Sequence, residues 1–289
     1  MKVNRSFAEP MHYVTRSVLL AGFAYLVVYL VRTDNLELYI AARMQTIVKL
    51  ASLGMYAIAA QQLYTAIRVW IDGRPASNSC CSDHDHDHDH DHELPSFWRA
   101  SLLLYGWFAL PLVLAAVVPD GLLGSAMASA KGVQFTSRDI VMPESPSDSF
   151  LRSFAKFGER LAREQLIRVD DERFIETLTT LDLYRSVFAG KTIRLSGFVF
   201  RERGMDNHQF AATRFAVNCC SADAYPYGVL IRSEHAAELE TNEWVSVTGT
   251  LSTIEYEGQE VIQIDAVRIE RIRVPDEPYV SPDLKFELE

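Results

Sequence analysis

The residues best suited to chemistry fall in two places. Cys80-Cys81-Ser82 opens a tract running to Glu93 in which His84, His86, His88, His90 and His92 alternate with aspartates. Imidazole, carboxylate and thiolate are the side chains that bind transition metals best. The alternation has period two, so an extended chain sets the five His on one side and the Asp on the other. Neighbouring imidazoles are then about 6–7 Å apart along the chain, so the tract would wrap an ion rather than present a rigid chelate. Free imidazole titrates near about 6.5, so many of these rings are neutral and ligand-competent at physiological pH. The tract predicts contact with a divalent metal without selecting which one, and order only when metal is present, since it holds no apolar residue to bury. The rival reading is a solvated linker of biased composition.

The second place is Cys219-Cys220-Ser221-Ala222-Asp223. In a regular strand the two cysteines point to opposite faces; they share an ion only if the strand breaks there. The polar run that follows, and Tyr225-Pro226-Tyr227-Gly228, make a break plausible. Cys219, Cys220 and Asp223 are the candidate ligands, with His208 or His235 as possible additions. The rival is a buried Cys beside a capping Asp. All four cysteines fall in these two vicinal pairs. Adjacent Cα atoms lie about 3.8 Å apart, below the usual disulfide range, so neither pair is an ordinary structural bridge. A Cys81–Cys219 bridge is disfavoured if the two lie on opposite sides of a membrane.

The elements that position these groups divide the chain in two. Residues 1–120 read as a membrane anchor of three transmembrane helices, with the loop 80–93 between the second and third. The first runs from Met11 to Val31 with Arg16 snorkelling. A signal peptide is its rival, but no small-x-small cleavage site follows Val31. The second is Leu50–Ile67, where Gln61 and Gln62 imply a helix partner. The third is Phe97–Pro119, with Pro111 as a structural kink. Lys2, Arg5 and Arg16 precede the charge-free stretch Val18–Val31 of the first span, and only Arg32 follows it closely. This places the N-terminus and the His-Asp loop in the cytoplasm and the C-terminal half outside.

Residues 121–149 read as a linker and 150–190 as a helical segment, Leu151–Leu166 and Glu172–Phe188, the second capped by Asp170-Asp171. Residues 191–280 read as strands: Thr192–Arg201, Gln209–Cys219, Tyr227–Arg232, Trp244–Ser252 and Gln259–Ile269, with a short helix Glu234–Leu239 before the fourth. That order, with Gly197 and Gly249 inside strands, predicts a five-stranded OB-like β-barrel in an α+β soluble domain. Residues 281–289 form an acidic tail. The net charge is −10, and acidic residues outnumber Lys and Arg from Lys191 onward. Such a barrel is a poor phosphate binder, so nucleic acid is not an expected partner, and the phenylalanines at 198, 200, 210 and 215 are expected in the core. No nucleophile–base pairing or phosphate loop is visible. The chain is not expected to be an enzyme or to carry an organic cofactor.

Several short runs together carry a resemblance. They are Pro119-Asp120-Gly121-Leu122-Leu123-Gly124-Ser125, Lys131-Gly132, Gly190-Lys191-Thr192-Ile193, Gly197-Phe198-Val199, Arg214-Phe215 before the second cysteine pair, Trp244-Val245, Gly249-Thr250-Leu251 and Pro278-Tyr279-Val280. The chain resembles the bacterial YcgQ-like family of candidate permease subunits over nearly its whole length. The resemblance implies a multi-pass protein of the bacterial inner membrane with a His-rich loop and a C-terminal β-rich domain. It also implies a partner, a predicted multi-span YcgR-like permease, and for some members a link to zinc-responsive regulation. The family's Cys-x-Ala-Asp core falls on Cys220, Ala222 and Asp223, and Cys219 stands where some relatives have His, an exchange that a metal ligand permits. Ser281–Glu289 extends beyond the family pattern. The function expected is an accessory subunit of a metal permease, in contact with lipid and a divalent ion. A stand-alone membrane metal sensor or chaperone is the alternative, and an extracytoplasmic enzyme a weaker one.

Overall fold

The structure is a computed structural model and describes residues 5–72, 98–136, 148–283 and 285–286. The tract 80–93, with Cys80, Cys81 and its five His, lies outside the described residues. The chain forms two compact units: a helical one, 1–36 with 42–120, and a β-rich one, 37–41 with 121–289.

The helical unit holds α1 (Arg5–Arg32), α2 (Ala42–Asp72) and α3 (Trp98–Val117). Against α1, α2 buries or half-buries Ser52, Met55, Ala59, Gln62, Ala66 and Val69. Their alternating three- and four-residue spacing is that of a helix–helix seam. Small residues at the contact, Ala24, Ala59 and Ala66, let two backbones approach closely, and the Ser17 hydroxyl donates to the Ala59 carbonyl at 2.8 Å. Gln62 sits in this seam with Oε1 buried and without a hydrogen bond from the described residues; Gln61 faces out. Gly22 is where α3 comes close to α1, since a Cβ there would meet Leu112 at 2.9 Å. Three membrane spans were expected. Among the described residues one helix is long and apolar enough to cross a membrane, Pro10–Arg32, and Leu103–Val117 of α3 is a shorter apolar helix. The 31-residue α2 covers the second expected span without meeting that measure.

The β-rich unit begins with α4 (Ser125–Lys131) and α5 (Asp148–Arg163), then β1 (Leu166–Arg168), α6 (Phe174–Leu183) and α7 (Arg185–Phe188). The strands β2 (Thr192–Phe200), β3 (Gln209–Ala216), β4 (Tyr225–Arg232), β5 (Trp244–Tyr256), β6 (Gln259–Arg271) and β7 (Tyr279–Val280) follow. An OB-like barrel was expected of the five long strands; the structure shows a ring of paired strands. β2 pairs with both β3 and β5, β5 with β6, β6 with β4, and β4 with β3, so the ladder returns to its start. All of these pairs are antiparallel except β4–β6. Short β1 and β7 add in parallel to β2 and β3.

Two strand glycines allow the turns of the ring. At Gly197 a Cβ would lie 2.8 Å from the Thr213 backbone nitrogen, at the point where β2 passes from β5 to β3. At Gly249, where the β5–β6 register shifts, a Cβ would lie 2.6 Å from the Ile264 side chain. One core packs α5 and α6 (Phe154, Phe157, Leu161, Phe174, Leu178) on the ring residues Ile193, Val199, Phe210 and Ile264. A second, smaller core gathers Phe198, Phe200, Phe215 and Trp244 with Ala128 of α4. The phenylalanines at 198, 200, 210 and 215 are therefore all buried. Between the cores Arg214 is fully buried, ion-paired to Asp171, bonded to the Glu277 and Pro278 carbonyls, and flanked by the Phe174 and Trp244 rings.

Two stretches differ from expectation. Residues 121–136 were read as linker, yet they contain α4, and Gln134 bridges to Tyr227, its N–H bonding the Pro226 carbonyl at 2.9 Å. The Tyr279 hydroxyl also holds this stretch, accepting the Leu123 N–H at 2.8 Å. In the acidic tail, Asp283 and Phe286 make contacts with the rest of the β-rich unit. Phe286 is buried with its ring 4.7 Å from that of Phe154 and 5.3 Å from that of Phe157, and the Asp283 N–H donates to Glu176. One aromatic among acidic residues was enough to recruit the segment to the core, because a phenylalanine buries a large apolar area.

A dithiol–carboxylate loop as candidate metal centre

The break that a shared site requires is present. β3 ends at Ala216, Val217 still bonds the Val280 carbonyl, and Asn218 to Asp223 form a tight turn back into β4. Asp223 makes the turn. Its carboxylate accepts the backbone N–H groups of Asn218, Cys219 and Cys220 at 3.2, 2.7 and 3.3 Å, the local side-chain-to-backbone bonding for which Asp is suited. Both thiols are thereby brought to one side: Sγ of Cys219 lies 3.6 Å from Sγ of Cys220. The two sulfurs and a carboxylate oxygen of Asp223 all lie within 4.8 Å of one another.

Two further segments hold the loop, and neither was foreseen. Tyr39–Ala41, which precede α2, pair with it as a one-residue antiparallel bridge, Ile40 opposite Cys220. Ala41 N–H donates to the Cys219 carbonyl at 3.1 Å and Ser221 N–H to the Tyr39 carbonyl at 2.8 Å. From α4, the Lys131 ammonium donates to the Ala222 carbonyl at 3.1 Å and to the Ala224 carbonyl. No local pattern in the sequence announces either contact; both join residues far apart in the chain.

The two thiols are unequal. Cys219 is exposed and Cys220 half-buried. The Cys219 thiol faces the Asp223 carboxylate and the Cys220 sulfur, and its pKa is pushed up to about 11. Cys220 is shifted down, by the Ala222 N–H, the Cys219 thiol and the Asp223 N–H. Burial works against ionisation of Asp223, but the Cys219 thiol and three N–H groups outweigh it and hold the carboxyl below its ordinary value.

The donor set fits a tetrahedral ion. Two sulfurs on one Zn²⁺ at about 2.3 Å lie about 3.8 Å apart across a tetrahedral edge, close to the separation here, so binding needs little movement of the sulfurs. Of the other candidates, His235 Nδ1 lies 2.9 Å from Glu238 and the His208 N–H bonds Asp206. Neither belongs to the three-residue group.

Comparison with known sequences accounts for both parts of the chain. The DUF1980 N-terminal domain matches residues 15–134 and the DUF1980 C-terminal domain residues 146–282. The chain belongs to the DUF1980 family. It is 26% identical to the UPF0703 protein YcgQ of Bacillus subtilis over 288 residues, covering 92% of this chain and 98% of that one. A Streptococcus mutans protein, named as a candidate subunit of a two-component membrane permease complex, is 25% identical over 167 residues, covering 51% of this chain and 60% of its own. Among solved structures, a small single-stranded DNA-binding protein of Streptomyces coelicolor aligns with 29% of this chain and 93% of its own, at 22% identity and a TM-score of 0.20. In this DUF1980 chain the dithiol loop lies in the stretch matched by the C-terminal domain, while Tyr39–Ala41 and Lys131 lie in the stretch matched by the N-terminal one.

Proposed function

We propose that this DUF1980 chain is the membrane-associated accessory subunit of a two-component permease complex, and that its β-rich unit holds a transition-metal ion, Zn²⁺ first, at Cys219, Cys220 and Asp223. The name of the Streptococcus mutans relative supports the subunit reading. The observation that carries the metal reading is the convergence of two thiols and a carboxylate on one short turn. On this reading α1, α2 and α3 are three spans in lipid. The N-terminus and the His-Asp tract 80–93 face the cytoplasm, where the tract collects or senses metal, and the β-rich unit, an OB-like barrel, faces outward. The strand cycle with its one parallel β4–β6 pair supports the barrel reading. The chain binds and positions rather than catalyses; its partners are a multi-span permease, a divalent ion and lipid, and nucleic acid is not among them.

Purification of the tagged chain in mild detergent, with its genomic neighbours expressed, tests the subunit reading. A multi-span membrane protein should co-purify. Recovery of this chain alone, with the permease present in the same membranes, rejects the subunit reading and leaves a stand-alone metal sensor or chaperone. Reporters fused after Ile71 and at Glu289 should read cytoplasmic and extracytoplasmic; the reverse pair rejects the orientation.

A further inference from the structure

Three features of the dithiol loop bear on how an ion would leave it. The first is the ligand count. Among the described residues three groups converge, from Cys219, Cys220 and Asp223, whereas a structural zinc site is closed by four protein ligands and a reactive one keeps a position open. The second is exposure, since Cys219 stands at the surface and the open position can be reached from solvent. The third is the loop's own hydrogen bonding. Asp223 already accepts three backbone N–H bonds there, and the Tyr39–Ala41 bridge and the Lys131 ammonium fix the backbone on either side. Losing an ion therefore strands no carboxylate without partners and need not collapse the turn.

We infer that the loop is an exchange site, not a structural one: Cys219, Cys220 and Asp223 hold one tetrahedral divalent ion whose fourth position is filled by water and is open to an incoming neutral nitrogen ligand. This rests on the metal reading above and concerns what the site does with its ion. Exchange would proceed by interchange, an incoming ligand bonding the ion as water leaves. Asp223 would let go next, because its carboxylate has N–H donors already in place. Cys219 and Cys220 would let go last, each thiolate taking up a proton from solvent as the ion departs. The ion passes from one ligand set to the next without crossing free solution, as a carrier of metal cargo requires. A closed four-ligand site would instead hold the ion until the fold opened.

Co²⁺ and imidazole serve as probes, on the reduced full-length chain in detergent with Cys80→Ser and Cys81→Ser so that only the second pair can give thiolate–cobalt bands. The expected result is a near-ultraviolet charge-transfer band with tetrahedral visible absorption. Added imidazole should shift the visible bands saturably while the charge-transfer band persists. Transfer of the ion to a chromogenic chelator should speed up in proportion to chelator concentration. Asp223→Asn should keep the thiolate band but weaken cobalt binding by about tenfold; Cys220→Ser should remove the band, and hydrogen exchange at residues 216–226 confirms that this variant remains folded. A thiolate band that imidazole leaves unchanged, with transfer independent of chelator concentration, overturns the exchange inference and leaves the metal reading standing. No thiolate band in the folded, reduced chain overturns both.

Discussion

In α3 Trp107 is 73% exposed and Val117 74%, whereas in the β-rich unit Trp244 is 8% exposed and Phe198 2%. At these positions, side chains of the same kind are left outside in one unit and enclosed in the other. A helix satisfies its backbone hydrogen bonds internally, so it can present apolar side chains outward on every side if its surroundings are apolar. A strand needs neighbours. β2 to β6 find them by pairing round a cycle, and the side chains turned inward by that pairing become the core. The helical unit therefore depends for its apolar surface on what surrounds it, and the β-rich unit on itself. This contrast fits an anchor joined to a self-sufficient folded unit.

Substitutions can break or sharpen the contrast. The largest effect is expected at Arg214, the charge the β-rich unit encloses completely. Arg214→Ala should destabilise that unit by about 3–5 kcal/mol, through the void left between Phe174 and Trp244 and the loss of its carboxylate and carbonyl partners. Lysine should rescue little, because one ammonium cannot replace a planar fork serving Asp171 and two carbonyls. Chemical denaturation followed by hydrogen exchange at β2–β6 is the measurement. Unchanged protection would mean that the enclosed charge contributes nothing. Phe286→Ala should cost about 3 kcal/mol by the same measurement if the C-terminal segment belongs to the core; no loss would return it to the status of a tail.

A smaller effect, dependent on pH, is expected at Glu176, which is buried with Oε2 unbonded. Burial raises its pKa, as does the Asp283 carboxylate, against the Asp283 N–H and Arg173. A carboxyl whose pKa is higher in the folded state stabilises the fold fully below its unfolded value, and that contribution is lost as pH rises through the folded value. Glu176→Gln keeps an acceptor for the Asp283 N–H and cannot ionise. Its stability should therefore fall less than that of the parent as pH rises from the carboxylate range toward neutrality. Parallel curves would remove Glu176 from the pH dependence.

The smallest effect is expected in the helical unit. Leu104→Ala, at a side chain facing outward, should change stability in detergent by less than about 0.5 kcal/mol, whereas Leu195→Ala in the β-rich core should cost about 2–5 kcal/mol. Equal losses at the two positions would erase the distinction between the units.

Much of this was legible in the chain. Alternation in Thr192–Phe200 and β-branched runs in the later strands carry their own signal because the side-chain period of a strand is local. The long helices announce themselves by long charge-free runs. β1 was missed because three residues are too few to show a period, although Ile167 is wholly buried. α4 was missed because Ser-Ala-Met-Ala-Ser-Ala-Lys has no apolar stripe; its Ala128 is buried by what packs on it.

The sequence by itself determined which residues could bind a metal, since ligand chemistry belongs to side-chain type, and where the chain must be helical or extended. It left open whether Cys219 and Cys220 face together. That was decided by the tertiary structure: β3 stops at Ala216, Asp223 gathers three N–H groups, and Tyr39–Ala41 and Lys131 fix the turn from distant parts of the chain. The direction of a side chain in a loop is set by the hydrogen bonds that close the loop, and here several of the donors and acceptors come from residues that no local window contains.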